Sequence, residues 1–287
     1  MTDRPLVSIL MTTYNREKYV AEAIDSVLDS TYKNIELIIV DDDSQDNTVS
    51  IAKAYKEKDS RVKLFFNETN LGDYPNRNKA AGYATGEFMM YVDSDDTLIA
   101  DTVEKCLKLI LKYPQAEFGI YFPENGVEDS YVIESKAALK RQYFKAAFLQ
   151  VGPGGIFLKR TFFEKIGKFP VKYGPANDMY FNVKAALNTA TLILPFPLVF
   201  YRRHEAQQLH NHYSYIFNNY RYNRDLILDL ELPFSTKEKK IILKKNKRRF
   251  VVNIFKFFAK TKNLKRTVGL WKSAEFSFKD FLEGVFH

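Results

Sequence analysis

The first hundred residues alternate short apolar runs with segments of helical periodicity, and this alternation constrains the fold more than any other feature. The apolar runs lie at 7–11, 35–40, 62–66 and 88–92. Between the first two runs, residues 20–28 carry apolar side chains at the spacing of one helix face. Strands that alternate with helices in this way predict an α/β fold with a mostly parallel, doubly wound sheet.

Composition narrows the class of protein. At 46% hydrophobic residues, the 287-residue chain can bury a core, either in one large domain or in a domain with an appendage. The longest apolar stretch, 192–201, is short and contains two prolines, and the first residues lack the apolar segment of a secretory signal. The single cysteine, Cys106, cannot form an internal disulfide. We therefore expect a cytoplasmic protein without a transmembrane helix.

The positive charge is concentrated in one segment. The chain carries a net charge of +8, yet residues 237–272 alone hold fourteen Lys and Arg and one acid. The rest of the chain is therefore acidic, with a net charge of −5. A nucleic-acid-binding protein would show a basic body, so we expect no nucleic acid partner.

The basic segment also has apolar residues at helical spacing. Leu243, Phe250, Ile254 and Phe258 fall near one face of a predicted helix. Such a helix can lie on an anionic membrane surface, which predicts peripheral membrane contact through residues 237–272. The alternative is that the phenylalanines pack on the rest of the protein while the lysines are solvated. Both interpretations stay open.

Three polar clusters, at 12–15, 41–44 and 93–96, directly follow predicted strands. The carboxyl ends of parallel strands share one edge of the sheet, where ligands bind, so we expect the clusters to meet there. The third cluster contains three carboxylates, which repel one another unless a cation lies between them. Hard oxygen ligands favour Mg²⁺ or Mn²⁺, with substrate phosphates completing the coordination. The alternative is a solvated acidic turn in which Asp96 or Thr97 caps the next helix.

The turn after the first strand excludes two common classes of nucleotide-binding enzyme. It reads Thr12-Thr13-Tyr14-Asn15 and lacks Gly-x-Gly-x-x-Gly, and no Gly-Lys-Ser or Gly-Lys-Thr follows any predicted strand. A bound diphosphate would therefore be neutralised by a metal and not by a glycine-rich loop. Dinucleotide-binding and P-loop enzymes are excluded on this ground.

A series of short motifs runs along the first 205 residues. In chain order they are Val7-Ser8-Ile9, Thr12-Thr13-Tyr14-Asn15, Asp41-Asp42-Asp43-Ser44, Asn70-Leu71-Gly72, Arg77-Asn78, Gly86-Glu87, Asp93-Ser94-Asp95-Asp96, Gly154-Gly155, Lys165-Ile166-Gly167-Lys168-Phe169, Asn177-Asp178 and Tyr201-Arg202-x-His204. With these motifs the chain resembles glycosyltransferase family 2. The resemblance implies a GT-A fold, a Rossmann-like, mostly parallel sheet flanked by helices, here with a C-terminal helical extension.

The resemblance also implies how the chain is divided. Residues 1–100 would form the nucleotide-sugar-binding half of the GT-A domain. Residues 101–205 would form its acceptor-binding and catalytic half, and residues 206–287 the basic helical C-terminal extension.

The activity implied by the resemblance is that of an inverting glycosyltransferase, of the hexosyl- or N-acetylhexosaminyltransferase type. The donor would be a nucleotide sugar, usually a UDP-sugar, and the cofactor a divalent metal, Mn²⁺ or Mg²⁺. The acceptor would be a hydroxyl of a glycan or of a lipid-linked molecule. We expect a role in cell-surface polysaccharide synthesis, in the cytoplasm or peripherally at the inner face of the membrane.

The family's site residues carry over by position. Thr12 and Tyr14 would line the base pocket, Asp42 would hydrogen-bond the uracil edge, and Asp93 would hold the ribose. Asn15, Arg77 and Ser94 complete the expected nucleotide-sugar-binding set. Asp95 would bind the metal, His204 would lie near the diphosphate or the metal, and Asp178 would be the catalytic base.

The chain departs from the family at two places. The usual acidic pair before the base is here Asn177-Asp178, so Asp178 is the sole carboxylate available, and its alternative role is a helix N-cap. Asp73 stands where many relatives carry a small or basic residue, and the sequence offers no reason for it. For His204 the alternative is a structural histidine beside Arg202 and Arg203.

Two other functions fit parts of the sequence. Residues 93–97 also spell the Asp-x-Asp-x-Thr loop of haloacid-dehalogenase-like phosphohydrolases, in which Asp93 would be phosphorylated and Asp95 would act as acid and base. That loop normally opens its domain, and the later acidic pair of that family is not found here. A non-catalytic nucleotide-sugar-binding protein is the other alternative, and the presence of both Asp95 and Asp178 argues against it. No motif identifies the donor sugar, the acceptor or the linkage.

Overall fold

The computed structural model describes residues 4–203 and 212–286, and a mixed sheet of eight strands runs through its centre. The strands are β1 Val7–Thr13, β2 Ile35–Asp41, β3 Val62–Phe66, β4 Phe88–Tyr91, β5 Thr97–Leu98, β6 Phe118–Tyr121, β7 Tyr131–Ile133, β8 Ile156–Lys159, β9 Thr191–Leu194 and β10 Val199–Phe200. The helices are α1 Val20–Leu28, α2 Thr48–Lys58, α3 Asp73–Tyr83, α4 Thr102–Lys112, α5 Ser135–Phe144, α6 Arg160–Lys165, α7 Asn177–Asn188, α8 His212–Asp229, α9 Thr236–Thr261, α10 Leu264–Ser273 and α11 Phe278–Val285. Two short 3₁₀ turns lie at Pro153–Gly155 and Gly174–Ala176.

The strand order across the large sheet is β3-β2-β1-β4-β8-β6-β9-β7. The first four strands in this order, β3, β2, β1 and β4, run parallel to one another. Val7 of β1 pairs with Ile35 of β2 on one side and with Phe88 of β4 on the other. β8 runs antiparallel to both of its neighbours, β4 and β6. β5 and β10 form a separate antiparallel pair. The predicted α/β class and mostly parallel sheet are confirmed.

Helices cover both faces of the sheet, so its central strands are buried on both sides. Ile9 and Leu37 belong to the core cluster on one face, whereas Leu10 and Ile38 belong to the cluster on the other. This explains why β1 and β2 appear in the sequence as continuous apolar runs and not as alternating patterns. The arrangement places the carboxyl ends of β1, β2 and β4 at a single edge of the sheet.

The C-terminal helices pack on the α/β part through α8. α8 contacts the turn Gly174–Ala176 and α7, and α9 packs in turn against α8, α10 and α11. A third core cluster joins these helices and includes Phe250 and Ile254 of α9. None of the helices in the described part of the chain combines the length and apolarity that crossing a membrane requires.

The structure resolves how the predicted basic helix uses its apolar side chains. Phe250 and Ile254 are buried in the third core cluster, and Leu243 packs on the cluster beneath the sheet. Phe258, in contrast, is exposed. For Leu243, Phe250 and Ile254 the packing alternative is therefore the one observed, and of the four residues only Phe258 stays available for a membrane contact.

Candidate functional site

A cleft of about 580 Å³ opens at the carboxyl edge of the parallel strands. The three polar clusters meet there, as the strand order predicts. Among the predicted site residues, those that line it are Thr12, Tyr14, Asp42, Arg77, Asp93, Ser94, Asp95 and Asp178. Asn15 is not among the lining residues, and His204 lies outside the described residues.

Asp42 holds a neighbouring loop in place. Its carboxylate accepts hydrogen bonds from the backbone amides of Leu71 and Gly72, both at 2.9 Å, and from the Asn67 side-chain amide at 2.6 Å. Gly72 has φ +84°, a left-handed conformation that glycine adopts without a Cβ penalty. The Asn70-Leu71-Gly72 motif thus forms a loop fixed to the end of β2 immediately before α3.

Asn15 connects the loops that follow β1 and β2. Its own φ is +52°, its backbone amide donates to Ser44 Oγ at 2.9 Å, and its side-chain oxygen accepts from the Gln45 amide at 2.8 Å. Asparagine tolerates this left-handed conformation better than most residues. In this structure Asn15 holds the two loops together and does not line the cleft. Its expected contact with the donor stays a prediction.

Arg77 is a buried cation between two carboxylates. Its Nε donates to Asp73 at 2.6 Å and one terminal nitrogen donates to Asp93 at 2.6 Å, while its guanidinium lies over the rings of Tyr74 and Tyr91. Burial alone would lower the pKa of Arg77, but the charges of Asp73 and Asp93 outweigh it and raise the pKa above the usual value. Asp73, which the sequence could not explain, is therefore a partner of Arg77.

The acidic cluster after β4 brings three carboxylates together. One oxygen from each of Asp93, Asp95 and Asp96 can be chosen so that all lie within 4.8 Å of one another. Burial, assisted by the charge of Asp93, raises the pKa of Asp96 to about 7. Crowded carboxylates of this kind are a donor set of hard oxygens that fits Mg²⁺ or Mn²⁺.

Asp96 does not cap the next helix, so the alternative of a capping acidic turn is wrong. Its carboxylate accepts from the Arg202 backbone amide at 3.0 Å. β5 follows directly, and α4 begins only at Thr102 with Asp101 as its N-cap residue. The contact with Arg202 ties the acidic loop to the chain beyond β10.

Arg16 is a cleft residue that the sequence analysis did not identify. Its Nε donates to Asp95 at 3.0 Å, and a terminal nitrogen donates to the carbonyl oxygens of Tyr14 and Asn15. The signal in the sequence was a cation directly after the Thr-Thr-Tyr-Asn turn. Arg16 thus places a guanidinium on Asp95, as Arg77 does on Asp93.

Asp178 lies in the first turn of α7 and is buried at the cleft wall. Burial raises the pKa of its carboxyl to about 7, although the Met179 amide and the Tyr74 hydroxyl act in the opposite direction. The N-cap residue of α7 is Ala176, so Asp178 is not the N-cap that the alternative required. A carboxylate with a pKa near neutrality can both accept and release a proton at physiological pH.

Asn177 replaces the first acid of the family's usual pair, and the structure gives it a different task. Its side-chain oxygen accepts from the Tyr173 amide at 2.9 Å, and its amide nitrogen donates to the Gly174 carbonyl at 2.7 Å. These bonds fix the turn that precedes α7. Asp178 is therefore held in position by its neighbour and does not share its proton with it.

The comparisons with known proteins identify the family of the chain. A family model for glycosyl transferase family 2 matches residues 8–167. The Escherichia coli UDP-Glc:alpha-D-GlcNAc-diphosphoundecaprenol beta-1,3-glucosyltransferase WfgD is 46% identical over 110 residues, which cover 38% of this chain and 43% of WfgD. The chain therefore aligns with less than half of that relative.

Two solved structures share the fold. The crystal structure of S. aureus TarS 1–349 in complex with UDP-GlcNAc superposes with a TM-score of 0.74 at 23% identity, over 97% of this chain and 81% of that one. The mannosyltransferase PcManGT from Pyrobaculum calidifontis, in complex with GDP-Man and Mn²⁺, gives 0.60 at 17% identity, over 99% and 84%. At these identities the likeness establishes the GT-A fold.

Proposed function

Because the chain belongs to glycosyl transferase family 2, we propose that it is a metal-dependent inverting glycosyltransferase. It would move a sugar from a nucleotide diphosphate, a UDP-sugar in our proposal, to a hydroxyl of a glycan or lipid-linked acceptor. The observation that carries this proposal is a single cleft lined both by the acidic cluster and by Asp178, whose carboxyl has a pKa of about 7. The family match speaks against the phosphohydrolase alternative.

Asp178 is proposed as the catalytic base. An acceptor hydroxyl is a weak nucleophile, and a carboxylate within hydrogen-bond reach can take its proton as the oxygen attacks the anomeric carbon. The bond between that carbon and the diphosphate breaks as the new glycosidic bond forms on the opposite face, which inverts the configuration. The Met179 amide, which donates to Asp178 at 2.7 Å, fixes the carboxylate for this role.

The residues of the acidic cluster are suited to a metal ion. We propose that Asp95 holds Mn²⁺ or Mg²⁺ at the acidic cluster; the further ligand proposed from the sequence, His204, lies outside the described residues. A cation there would act as a Lewis acid for the departing diphosphate. The Mn²⁺ in the PcManGT complex supports this assignment for a related fold.

The cleft residues suit a nucleotide donor. Thr12 and Tyr14 are proposed for the base, and Tyr14 is 43% exposed at the cleft, so its ring is open to stacking. We propose Asp42 for the uracil edge and Asp93, with Ser94, for the ribose. The guanidiniums of Arg16 and Arg77 partly neutralise the acidic cluster, so an anionic diphosphate can approach it.

We propose a UDP-sugar and a lipid-linked or polysaccharide acceptor on the strength of the relatives. WfgD acts, by its name, on a diphosphoundecaprenol-linked sugar, and the TarS structure holds UDP-GlcNAc. These properties support a role in cell-surface polysaccharide synthesis at the cytoplasmic side of the membrane. Asp178 together with the acidic cluster also favours an enzyme over a non-catalytic binding protein.

Thermal unfolding with UDP and manganese tests the proposal. We expect UDP and Mn²⁺ together to raise the melting temperature by about 5 °C at a free ligand concentration about a hundredfold above Kd, since a ligand that binds only the folded state stabilises it. Either component alone should give a much smaller shift. Asp95→Asn should remove the effect, whereas Asp129→Asn, which changes an exposed carboxylate far along the chain, should retain it.

A shift produced by inorganic phosphate and magnesium but not by UDP and manganese would contradict the proposal and favour phosphohydrolase chemistry. If UDP and manganese give the expected shift, a screen of donor hydrolysis over a panel of nucleotide sugars would identify the sugar, which the sequence does not specify.

A further inference from the structure

The last three helices carry a large exposed apolar surface, here called the C-terminal apolar face. It is formed by Phe255, Phe258, Leu264, Val268, Phe278, Leu282, Val285 and Phe286, all exposed. Leu264, Phe278 and Phe286 are each about two thirds exposed or more, at 66%, 69% and 72%. Single exposed apolar residues are ordinary, but a connected group of this size marks an interaction surface.

Ring contacts connect the face across the three helices. Phe281 of α11 lies 6.4 Å from Phe255 of α9, 6.2 Å from Phe278 and 5.1 Å from Trp271 of α10, measured between ring centroids. Leu264 and Val268 share the helical face of Trp271 because they precede it by seven and three positions. Phe281 therefore joins Phe255 of α9, Trp271 of α10 and Phe278 of α11, and Leu264 and Val268 extend this apolar surface along α10.

The charges around the face are predominantly positive. Residues 252–286 hold seven Lys and Arg and three acids. Six of the cations are exposed lysines, Lys256, Lys260, Lys262, Lys265, Lys272 and Lys279. The acids are occupied within the protein: Asp280 and Glu283 form ion pairs with Lys247, and Glu275 pairs with Arg224.

We propose that the C-terminal apolar face docks on an anionic lipid bilayer. Apolar side chains would enter the boundary between headgroups and acyl chains, and the surrounding lysines would contact the lipid phosphates. Charge complementarity selects this occupant over a second copy of the chain, because two copies of a basic face repel each other. The docking surface differs from the α9 face that the sequence suggested, whose Phe250 and Ile254 are buried.

The helices that carry the face are connected to the cleft through α8. Tyr213 of α8 packs on Phe257 with ring centroids 5.5 Å apart, and its hydroxyl donates to the Arg266 carbonyl at 3.2 Å. Two residues further on, Tyr215 lines the cleft. α8 therefore contacts both the cleft and the helices that carry the face. If the proposed function is correct, docking would hold the cleft at the bilayer in which a lipid-linked acceptor lies.

Binding of the full chain to vesicles tests the docking proposal without donor or acceptor. We expect the protein to cosediment with vesicles of phosphatidylcholine and phosphatidylglycerol, and added salt to weaken this binding. Phe278→Ser and Leu264→Ser should each lower the partition coefficient by about tenfold, since each removes a large apolar side chain from the interface. Both residues are exposed, so the variants should fold normally.

Two controls separate the outcomes. Leu111→Ser, which removes a 54% exposed apolar side chain on α4, should bind vesicles as the wild type does. Asp178→Asn should also bind normally, so a failure of the catalytic proposal leaves this test intact. Equal binding by Phe278→Ser and the wild type, or equal binding to neutral vesicles at all salt concentrations, would overturn the proposal. The proposal would also be overturned if the wild-type protein sediments as a dimer and does not bind vesicles, and if Phe278→Ser converts that dimer to monomers.

Discussion

At the scale of single residues, the proposed chemistry depends on how burial changes the proton affinity of Asp178. Its neighbours are Tyr74, which favours the ionised form, and Asp73, whose negative charge disfavours it. The sequence could identify Asp178 as a carboxylate at a helix start. It could not show these neighbours, because Tyr74 and Asp73 lie about a hundred residues earlier and meet Asp178 only in the folded chain.

If Asp178 is the base, its raised pKa predicts a pH-dependent reaction. Only the ionised carboxylate accepts a proton, so kcat/KM should fall about tenfold per pH unit below about 7 and level off above it. The profile should be measured at saturating Mn²⁺, since a bound cation keeps the metal-ligating carboxylates ionised. If kcat/KM is instead constant from about pH 5 to about pH 8, Asp178 is not the base.

The same pKa shift affects the free energy of unfolding. A rise in pH increases the expected activity but decreases this stability. In the unfolded chain the carboxyl ionises near 3.8, whereas in the folded protein it keeps its proton to about 7. The folded state thus binds more protons in this window, so its stability falls as pH rises through it. The Asp178→Asn variant should lack this dependence of stability on pH. Urea unfolding of both proteins at several pH values would measure the difference.

Asp178→Asn also separates catalysis from donor binding. We expect kcat to fall by about a hundredfold or more, since a general base of this kind contributes on that order. Binding of UDP and Mn²⁺ should be unchanged, because the substitution leaves the acidic cluster intact. Retained turnover, or a loss of UDP binding that matches the loss of turnover, would contradict the assigned role.

At the scale of elements, the edge of the sheet is predictable because strand direction follows from the short βα connections. Apolar runs followed by polar clusters locate the ends of β1, β2 and β4. Arg16 and the ion pairs of Arg77 were beyond prediction, since a charged side chain near a strand end has several partners within reach. The Asp73–Arg77 spacing of four residues was a local signal for one of these ion pairs, since residues four apart are neighbours on a helix.

Gly86 illustrates how closely two elements approach each other. A Cβ at this position would lie 2.7 Å from the backbone of Leu6 and Ser8. We expect Gly86→Ala to destabilise the protein by about 1–3 kcal/mol, because β1 and β4 cannot separate without loss of packing. Gly82→Ala is the matched control: its Cβ would meet nothing within 4 Å on α3, and it should be neutral or stabilise by up to about 1 kcal/mol.

Urea unfolding of both glycine variants measures the difference. Equal stability of Gly86→Ala and Gly82→Ala would show that the contact of Gly86 with Leu6 and Ser8 is looser than the structure indicates.

At the scale of the whole molecule, the first half of the fold was more predictable than the second. β8 inserts antiparallel between β4 and β6, and this order depends on pairings across some seventy residues that no local pattern encodes. The C-terminal helices were predicted as helical and basic. Their packing was not, because apolar residues lie on several sides of α9 and periodicity alone cannot select the side that meets α8.

The whole molecule brings the carboxyl edge of the parallel strands, an acidic cluster and a buried carboxylate into one cleft, and its C-terminal helices carry a basic apolar surface. This arrangement is the basis of both proposals, for the reaction and for the place where it occurs. The location of the metal relative to Asp178 is its most direct test.

That test is a crystal structure with Mn²⁺ and an unreactive UDP-sugar analogue, with the ion located by its anomalous scattering. We predict an ion bound by Asp95 and by the diphosphate, with the anomeric carbon of the sugar open to attack from the side of Asp178. A manganese ion bound away from Asp95, or a sugar whose anomeric carbon faces away from Asp178, would contradict the account.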